Sequence, residues 1–414
     1  MFKKIQPSKI NGTVHAPASK SMMQRAVAAA ILTDGRVEIL NPSLCNDGLS
    51  AIDVAKGLGK KVISEPGKLI FNEWFRYTRP DLNVGESGLG IRMFTPLAAL
   101  LDKTIRLQGS GTLLNRPVDM MEAPLEALGA KCVTRNGFVP VTICGPLQGG
   151  VAEIDGSISS QMLTGLITAL PLAPNDSTLH VHKLRSIPYV DMTMQLLKNF
   201  GIEVTHENYE IFHIKGNQVY QPANYFIEGD WSGAAFFLVA GAIGGEVKVT
   251  GLLRNSAQAD IIILDALQRA GAIIGFEKDY CFSRKNQLNA FEFDATHCPD
   301  LFPPLAVLAA NCKGTTKIIG AERLLYKESN RALALMSEFA KIGISITVDG
   351  DVMSINGSEI TGGTMDSYND HRVAMMGACA AINSKKEVII QNSACVSKSW
   401  PTFFGDFGKI RVGG

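Results

Sequence analysis

Residues 228–276 read EGDWSGAAFFLVAGAIGGEVKVTGLLRNSAQADIIILDALQRAGAIIGF, and four signals follow one another in them. A knot of small polar residues, EGDWS (228–232), precedes AAFFLVAGA (234–242), which is apolar all round and reads as a helix buried on every side. EVKVT (246–250) has the composition of a strand. ILDALQRAG (263–271) reads as an amphipathic helix that stops at Gly271, because glycine tolerates the left-handed backbone of a helix end. A second strand-like run, AII (272–274), follows at once.

The same signals recur along the chain. The amphipathic helix returns as SAIDVAKGLG, EAPLEALG, MTMQLLKNFG and LALMSEFAKIG, ending at Gly59, Gly129, Gly201 and Gly343; with Gly271 these glycines stand 70 or 72 residues apart. Ala55, Leu125, Leu197, Leu267 and Phe339, four positions earlier, give each helix one buried stripe. The all-apolar helix returns as AVAAAIL, TPLAALL, LTGLITAL, PPLAVLAA and AMMGACAA. Each follows a polar knot: SKSMMQR (19–25), GESGLGIR (85–92), SISSQ (157–161), HCPD (297–300) and YNDHR (368–372). Strands RVEIL, TIRLQ, TLHVH, TTKII and EVII complete the pattern. The expected order per unit is strand, amphipathic helix, strand, strand, buried helix. Six units of about 70 residues fill the chain, and at this length two groups of three are expected rather than one ring.

Composition narrows the function. Of 414 residues 46% are hydrophobic and 19% charged, enough for a large core and too apolar for disorder. Lys and Arg number 40 against 39 Asp and Glu, a balance that argues against nucleic-acid or membrane-surface partners. The first residues, MFKKIQPSKINGTV, lack the apolar run of a secretory signal, and the longest uncharged apolar run, Ala234 to Gly245, is well short of the roughly 20 residues of a membrane span. A cytoplasmic location is expected. Cysteines 45, 132, 144, 281, 298, 312, 379 and 395 form no CxxC pair, so they read as small buried hydrophobes in a reducing compartment rather than as metal ligands.

A buried helix starts with unsatisfied N–H groups and the positive end of its dipole, which makes that end an anion site. Several knots add cations: Lys20 and Arg25, Arg92, and Arg372. If three such helices per domain aim at one cleft, a neutral chain acquires a cationic site for phosphates and carboxylates. Loops that end strands, LQGSGTLLNRP (107–117), LRSIPYVD (184–191), YKESNR (326–331) and VSKSWP (396–401), are further candidate positions for chemistry.

Taken in order, SKSMMQR, GESGLGIR, Arg116-Pro117, SSQ (159–161), SIPYVDMT (186–193), EGDWS, Pro299-Asp300, KESNR (327–331), DHRVAM (370–375) and KSWP (398–401) resemble the motif series of the 5-enolpyruvylshikimate-3-phosphate synthases, in the enolpyruvyl transferase family. The resemblance covers essentially the whole chain. It implies an α/β fold of two domains, each of three βαβαββ units, with buried helices pointing their N-termini at the interdomain cleft. One domain would span residues 16–227 and the other 1–15 plus 228–414. The implied activity transfers the enolpyruvyl group of phosphoenolpyruvate to the 5-hydroxyl of shikimate 3-phosphate, on the route to chorismate and the aromatic amino acids. The hydroxyl adds to C2 while C3 is protonated, and phosphate leaves a non-covalent tetrahedral intermediate. No metal or other cofactor is implied, the only partners are the two substrates, and a monomer is expected.

Carried over by position, Lys20, Asp300 and Glu328 resemble the catalytic groups: Lys20 stabilises charge beside both substrates, Asp300 orients and deprotonates the 5-hydroxyl, and Glu328 delivers the proton at C3. Lys20, Ser21, Arg25, Ser159, Ser160, Gln161, Ser186, Tyr189, Asp300 and Lys327 resemble the shikimate 3-phosphate contacts. Lys20, Gly88, Arg92, Arg116, Gln161, Arg331, Arg372 and Lys398 resemble the phosphoenolpyruvate contacts, where the planar fork of arginine suits carboxylate and phosphate. Asp230, Asp370 and His371 would support them. Plainer readings stand beside these: Asp300 as a helix N-cap, Glu328 and Arg331 as a surface pair, His371 as structural, and His180 and His182 as solvent-facing.

The chain departs from the family pattern in places. Glu86 stands where the family has an amide near the substrate phosphate, and a carboxylate there is expected to repel unless it turns away or pairs with a nearby Arg. Leu89 replaces a hydroxyl residue, Asn330 an aspartate, and Trp231 puts bulk beside the expected cleft. Two alternatives follow. The related transferase acting on UDP-N-acetylglucosamine uses a loop Cys as acid, but residues 109–117 hold none and Cys132 is too far along. A degenerate phospho-ligand binder would have Glu86 as its signature. A Rossmann dehydrogenase fails for want of GxGxxG within a βαβ unit.

Overall fold

In the computed structural model, which describes residues 1–74 and 79–413, repeats carry a strand that the sequence order above omits. It lies just before the buried helix, at Asp81–Asn83, Gly150–Asp155, Asn224–Phe226, Glu292–Asp294 and Gly363–Asp366. These strands are short, and runs such as DLN, NYF and EFD cannot show an alternation. All but Asn224–Phe226 pair in parallel with the strand just beyond the next buried helix, as Asp81–Asn83 does with Thr104–Gln108 and Glu292–Asp294 with Thr315–Ile319. Parallel strands need a crossover, and the buried helix supplies it. The unit is therefore strand, buried helix, strand, amphipathic helix, strand, strand.

The chain forms two compact units, Ala18–Ile227 and Met1–Pro17 with Glu228–Gly414. Residues 16 and 17, expected with the former, belong to the latter: Ala16 N donates to Thr250 O (3.0 Å) and Asp230 N to Pro17 O (2.8 Å). In the unit Ala18–Ile227 the last strand, Asn224–Phe226, pairs in parallel with Val37–Leu40, so the third repeat closes the sheet of the first. In the other unit the N-terminus does the closing. Lys9–His15 pairs in parallel with Gly245–Thr250, and Phe2–Ile5 pairs antiparallel with Val388–Gln391.

The buried helices are Lys20–Leu32, Gly88–Ala98, Gln161–Ala169, Trp231–Gly244, Phe302–Ala310 and His371–Ala380. They hold the core of each unit; Ala26–Ala30 and Ala234–Ala240 expose nothing. The glycines that end the amphipathic helices are all left-handed, with φ of 102° at Gly59, 94° at Gly129, 74° at Gly201, 95° at Gly271 and 88° at Gly343. Ala55, Leu125, Leu197, Leu267 and Phe339 are fully buried, as their spacing requires. His182 faces solvent and meets Glu153, whereas His180 is half-buried. Among the described residues no helix is long and apolar enough to cross a membrane.

The helix stop at Gly271 gives a stability test. A Cβ there would take up a left-handed φ and stand 2.8 Å from Gln287 O. Gly271→Ala should cost about 1–2 kcal/mol, seen as a lower urea midpoint with an unchanged slope. An unchanged midpoint would show that the left-handed stop is not needed.

Candidate active site

In the unit Ala18–Ile227 the polar knots cap the buried helices. Ser19 accepts from Met22 N (3.5 Å), Ser87 Oγ from Gly90 N (2.9 Å) and Ser159 Oγ from Gln161 N (3.2 Å). Lys20 Nζ lies 3.2 Å from Asp47 Oδ2. Asp47 opens the helix Asn46–Gly57 and was not singled out from the sequence; its signal was an acid in a first helical turn. Gln24 Nε2 donates to Ser87 Oγ (2.7 Å), which ties the first knot to the second.

Arg25 is buried, and its nitrogens reach Thr193 Oγ1 (2.8 Å), Ser21 O (2.9 Å) and Tyr189 O (3.3 Å). Burial lowers its guanidinium to about 10. It thus holds Ser21 and Tyr189 in place. Thr193, the last residue of the SIPYVDMT motif, also donates to Tyr189 O (2.8 Å). Ser186 is left-handed (φ 58°) at the start of the helix Ile187–Asn199, a cost that non-glycine residues bear where geometry matters. Ser160 is buried beside Ser159.

Arg92 is buried and donates to Gln161 Oε1 (2.9 Å), Gly88 O (3.1 Å) and Pro117 O (2.8 Å). A Cβ on Gly88 would stand 2.5 Å from the Arg116 guanidinium, so only glycine lets Arg116 lie against that helix start. Two guanidinium groups and a helix N-terminus thus converge. The Glu86 carboxylate is engaged by the neighbouring loop: its Oε2 accepts from Thr112 N (2.8 Å) and Thr112 Oγ1 (3.0 Å). Leu89 is buried.

In the other unit the centre is Arg331, 0% exposed. Its Nη1 donates to Asp300 Oδ1 (2.6 Å), Nη2 to Glu328 Oε2 (2.6 Å) and Nε to Asp370 Oδ2 (2.8 Å). Arg372 Nη2 adds a bond to Asp300 Oδ2 (2.9 Å). The plainer readings of Asp300 and Glu328 therefore fail. Asp300 sits within the short turn Pro299–Leu301 and accepts from two guanidinium groups, and in the Glu328–Arg331 pair the arginine is fully buried and the glutamate half-buried. Burial pushes the Asp300 carboxyl up, but Arg372, Arg331 and Lys327 outweigh it and hold it well below the usual carboxylate range. Half-buried Lys327 is lowered to about 7 by desolvation, against the attraction of Asp300.

Asp370 caps the helix His371–Ala380 through Arg372 N (2.9 Å), and His371 is buried with Nδ1 3.8 Å from Asp370 Oδ1. Lys398 Nζ donates to Asn369 O (2.5 Å). Asn369 and Tyr368 are both left-handed, and the loop they form is held by Glu338. Glu338 is fully buried and accepts from Tyr368 OH (2.6 Å), Asp366 N (2.8 Å) and Lys341 Nζ (2.7 Å); its place in an amphipathic helix gave no hint of this. Asn330 caps the helix Arg331–Lys341, its Oδ1 accepting from Leu333 N (3.2 Å). Asp230 caps the helix Trp231–Gly244 through Gly233 N (3.0 Å). Trp231, expected beside a cleft, is instead fully buried, its indole N–H reaching Leu253 O (3.2 Å), because the helix is apolar on every side.

No group of three or more His, Cys, Asp or Glu among the described residues could hold a metal ion. A cavity of about 660 Å³, lined by Gln287, Asn311, Lys313, Glu359 and Asn383 among others, contains none of the candidate residues.

The chain matches the family model described as EPSP synthase (3-phosphoshikimate 1-carboxyvinyltransferase) over residues 5–407. It is 39% identical to the 3-phosphoshikimate 1-carboxyvinyltransferase of Clostridium novyi, with 98% of this chain and 97% of that protein covered. It is 36% identical to the protein of the same name from Clostridioides difficile, covering 98% and 96%. Among solved structures, the EPSP synthase of Acinetobacter baumannii superposes with a TM-score of 0.83 at 23% identity, covering 99% of this chain and 98% of that one. The enolpyruvyl transferase NikO of Streptomyces tendae superposes at 0.77 and 17% identity, covering 99% and 97%; both share the fold. The chain is a member of the EPSP synthase family.

Proposed function

We propose that this chain transfers the enolpyruvyl group of phosphoenolpyruvate to the 5-hydroxyl of shikimate 3-phosphate and releases phosphate. Family membership over residues 5–407 carries this reading, and the geometry suggests which groups do what. Ser159, Ser160, Gln161, Ser186 and Tyr189, with Ser21 and Arg25 behind them, serve the shikimate 3-phosphate side. Gly88, Arg92, Arg116, Arg331, Arg372 and Lys398 serve phosphoenolpyruvate, and Lys20 serves both.

Asp300, kept ionised by its guanidinium neighbours, receives the proton of the 5-hydroxyl as that oxygen bonds to C2. Glu328 gives its proton to C3. In the structure Glu328 occupies Arg331 Nη2, so protonation of Glu328 both arms the acid and weakens its hold on an N–H that a substrate anion can take. Lys327, near neutrality in its titration, is drawn to its charged form by the two phosphates. Departure of phosphate from C2, with return of the C3 proton, regenerates the enol ether in the product.

Two observations favour this over the alternatives. The Cys132 thiol is pushed up to about 12 by burial, with Glu122 adding to the shift, which suits a packed side chain. The Glu86 carboxylate, signature of a degenerate binder, is occupied by Thr112. A cytoplasmic setting fits the eight free thiols.

Phosphate release measured with both substrates tests the proposal; release with the UDP-sugar instead of shikimate 3-phosphate would replace it with the related transferase. Lys20→Met and Glu328→Gln should each lower turnover about 100-fold or more while the far-ultraviolet spectrum stays unchanged. Wild-type rates in both would remove their assigned roles.

Asp300 also gives a pH test. Its carboxyl lies below the ordinary range in the folded protein, so its contribution to stability is present above about pH 4 and is lost as the pH falls further. Asp300→Asn should flatten the acid limb of a plot of urea midpoint against pH, although the variant is less stable overall. Parallel limbs would contradict the assigned ionisation.

A further inference from the structure

We propose that Glu86 is a positioning residue that sets Arg116 against the start of the helix Gly88–Ala98. The segment before Arg116 is a single tight turn, Gly111–Asn115, and Ser110 at its head makes no side-chain capping bond. An uncapped turn leaves its first N–H groups without an acceptor. Glu86 supplies one from a distant part of the chain, its Oε2 taking both the N–H and the hydroxyl of Thr112 at 2.8 and 3.0 Å. The fit is close: Gly111 is left-handed (φ 52°), and a Cβ on it would fall 2.2 Å from the Glu86 carboxyl carbon. Ser110 N also donates to Gly85 O (2.8 Å), so the two strand-end loops are joined at neighbouring residues.

The other end of the turn carries Arg116, whose N–H donates to Leu113 O (3.2 Å). Its guanidinium packs against Gly88, two residues after Glu86, in the space that a Cβ there would need. One short loop thus grips the turn twice, at its head through the carboxylate and at its end through the glycine. A slip of the turn displaces the guanidinium, and an ångström of misplacement is costly to binding and chemistry.

This inference rests on the proposed assignment of Arg116 to phosphoenolpyruvate. It reverses the sign expected of a carboxylate beside an anionic substrate. Simple repulsion predicts that removing the charge tightens phosphoenolpyruvate binding. Positioning predicts that removing the acceptor weakens it, and that a neutral acceptor restores it.

The experiment measures KM for phosphoenolpyruvate, kcat, shikimate 3-phosphate affinity and Tm for Glu86→Ala, Glu86→Gln, Thr112→Val, the Glu86→Ala/Thr112→Val pair and Arg116→Gln. Glu86→Ala should raise KM for phosphoenolpyruvate about tenfold with kcat, shikimate 3-phosphate affinity and Tm close to wild type. Glu86→Gln, which still accepts from Thr112, should recover most of that loss. The double variant should be no worse than Glu86→Ala alone, since both remove one interaction. A KM at or below wild type in Glu86→Ala, or a Glu86→Gln no better than Glu86→Ala, would overturn the proposal. Arg116→Gln separates the two readings. If it leaves KM unchanged, the assignment of Arg116 fails and the inference with it; if it raises KM while Glu86→Ala does not, only the inference fails.

Discussion

A helix packed on every side along its length begins with N–H groups that have no partner within the helix, and most of what is distinctive in this chain follows from that constraint. Ser19, Ser87, Ser159, Asp230 and Asp370 meet it with side-chain acceptors at the head of their helices. Small polar residues must therefore precede each apolar run, and the knots repeat because the helices do. The same groups, with the positive end of the helix dipole behind them, are suited to receive phosphate and carboxylate. Packing and ligand chemistry draw on one set of residues, so the fold and the candidate site are aspects of one repeated unit.

The cluster around Arg331 has a different logic. A buried guanidinium shared by Asp300, Glu328 and Asp370 gains little stability over an apolar packing of the same volume, whereas loss of one partner costs about 3–5 kcal/mol. Such an arrangement is a poor device for holding a fold together. It is a good device for keeping one carboxylate ionised and another beside an exchangeable N–H, as the proposed proton transfers require. Glu338 plays the supporting part: with four donors around a fully buried carboxylate, it fixes the loop whose Asn369 carbonyl holds Lys398.

Much of this was legible in the residues alone. Five glycines spaced 70 or 72 apart mark left-handed helix ends, and the all-apolar runs are the buried helices. These signals are local, and glycine and periodicity report them faithfully. The short parallel strands were not legible, since three residues carry no period and their partners lie beyond a helix. Nor was the closure of a C-terminal sheet by Phe2–Ile5, a pairing across nearly the whole chain. In the candidate site, residue types at motif positions could be named, but Asp47 beside Lys20, Thr193 beneath Arg25 and Thr112 on Glu86 come from remote segments. The burial of Trp231 overrode its expected place because a helix without a polar face leaves a side chain nowhere else to go.

The most direct measurement of whether these capped helix starts are anion sites is a crystal structure of the protein with shikimate 3-phosphate bound. The phosphate should lie within hydrogen-bond distance of the Ser159, Ser160 and Gln161 side chains, at the head of the helix Gln161–Ala169. A ligand seated elsewhere, for instance in the cavity lined by Gln287, Asn311 and Lys313, with that helix start untouched, would contradict the central claim.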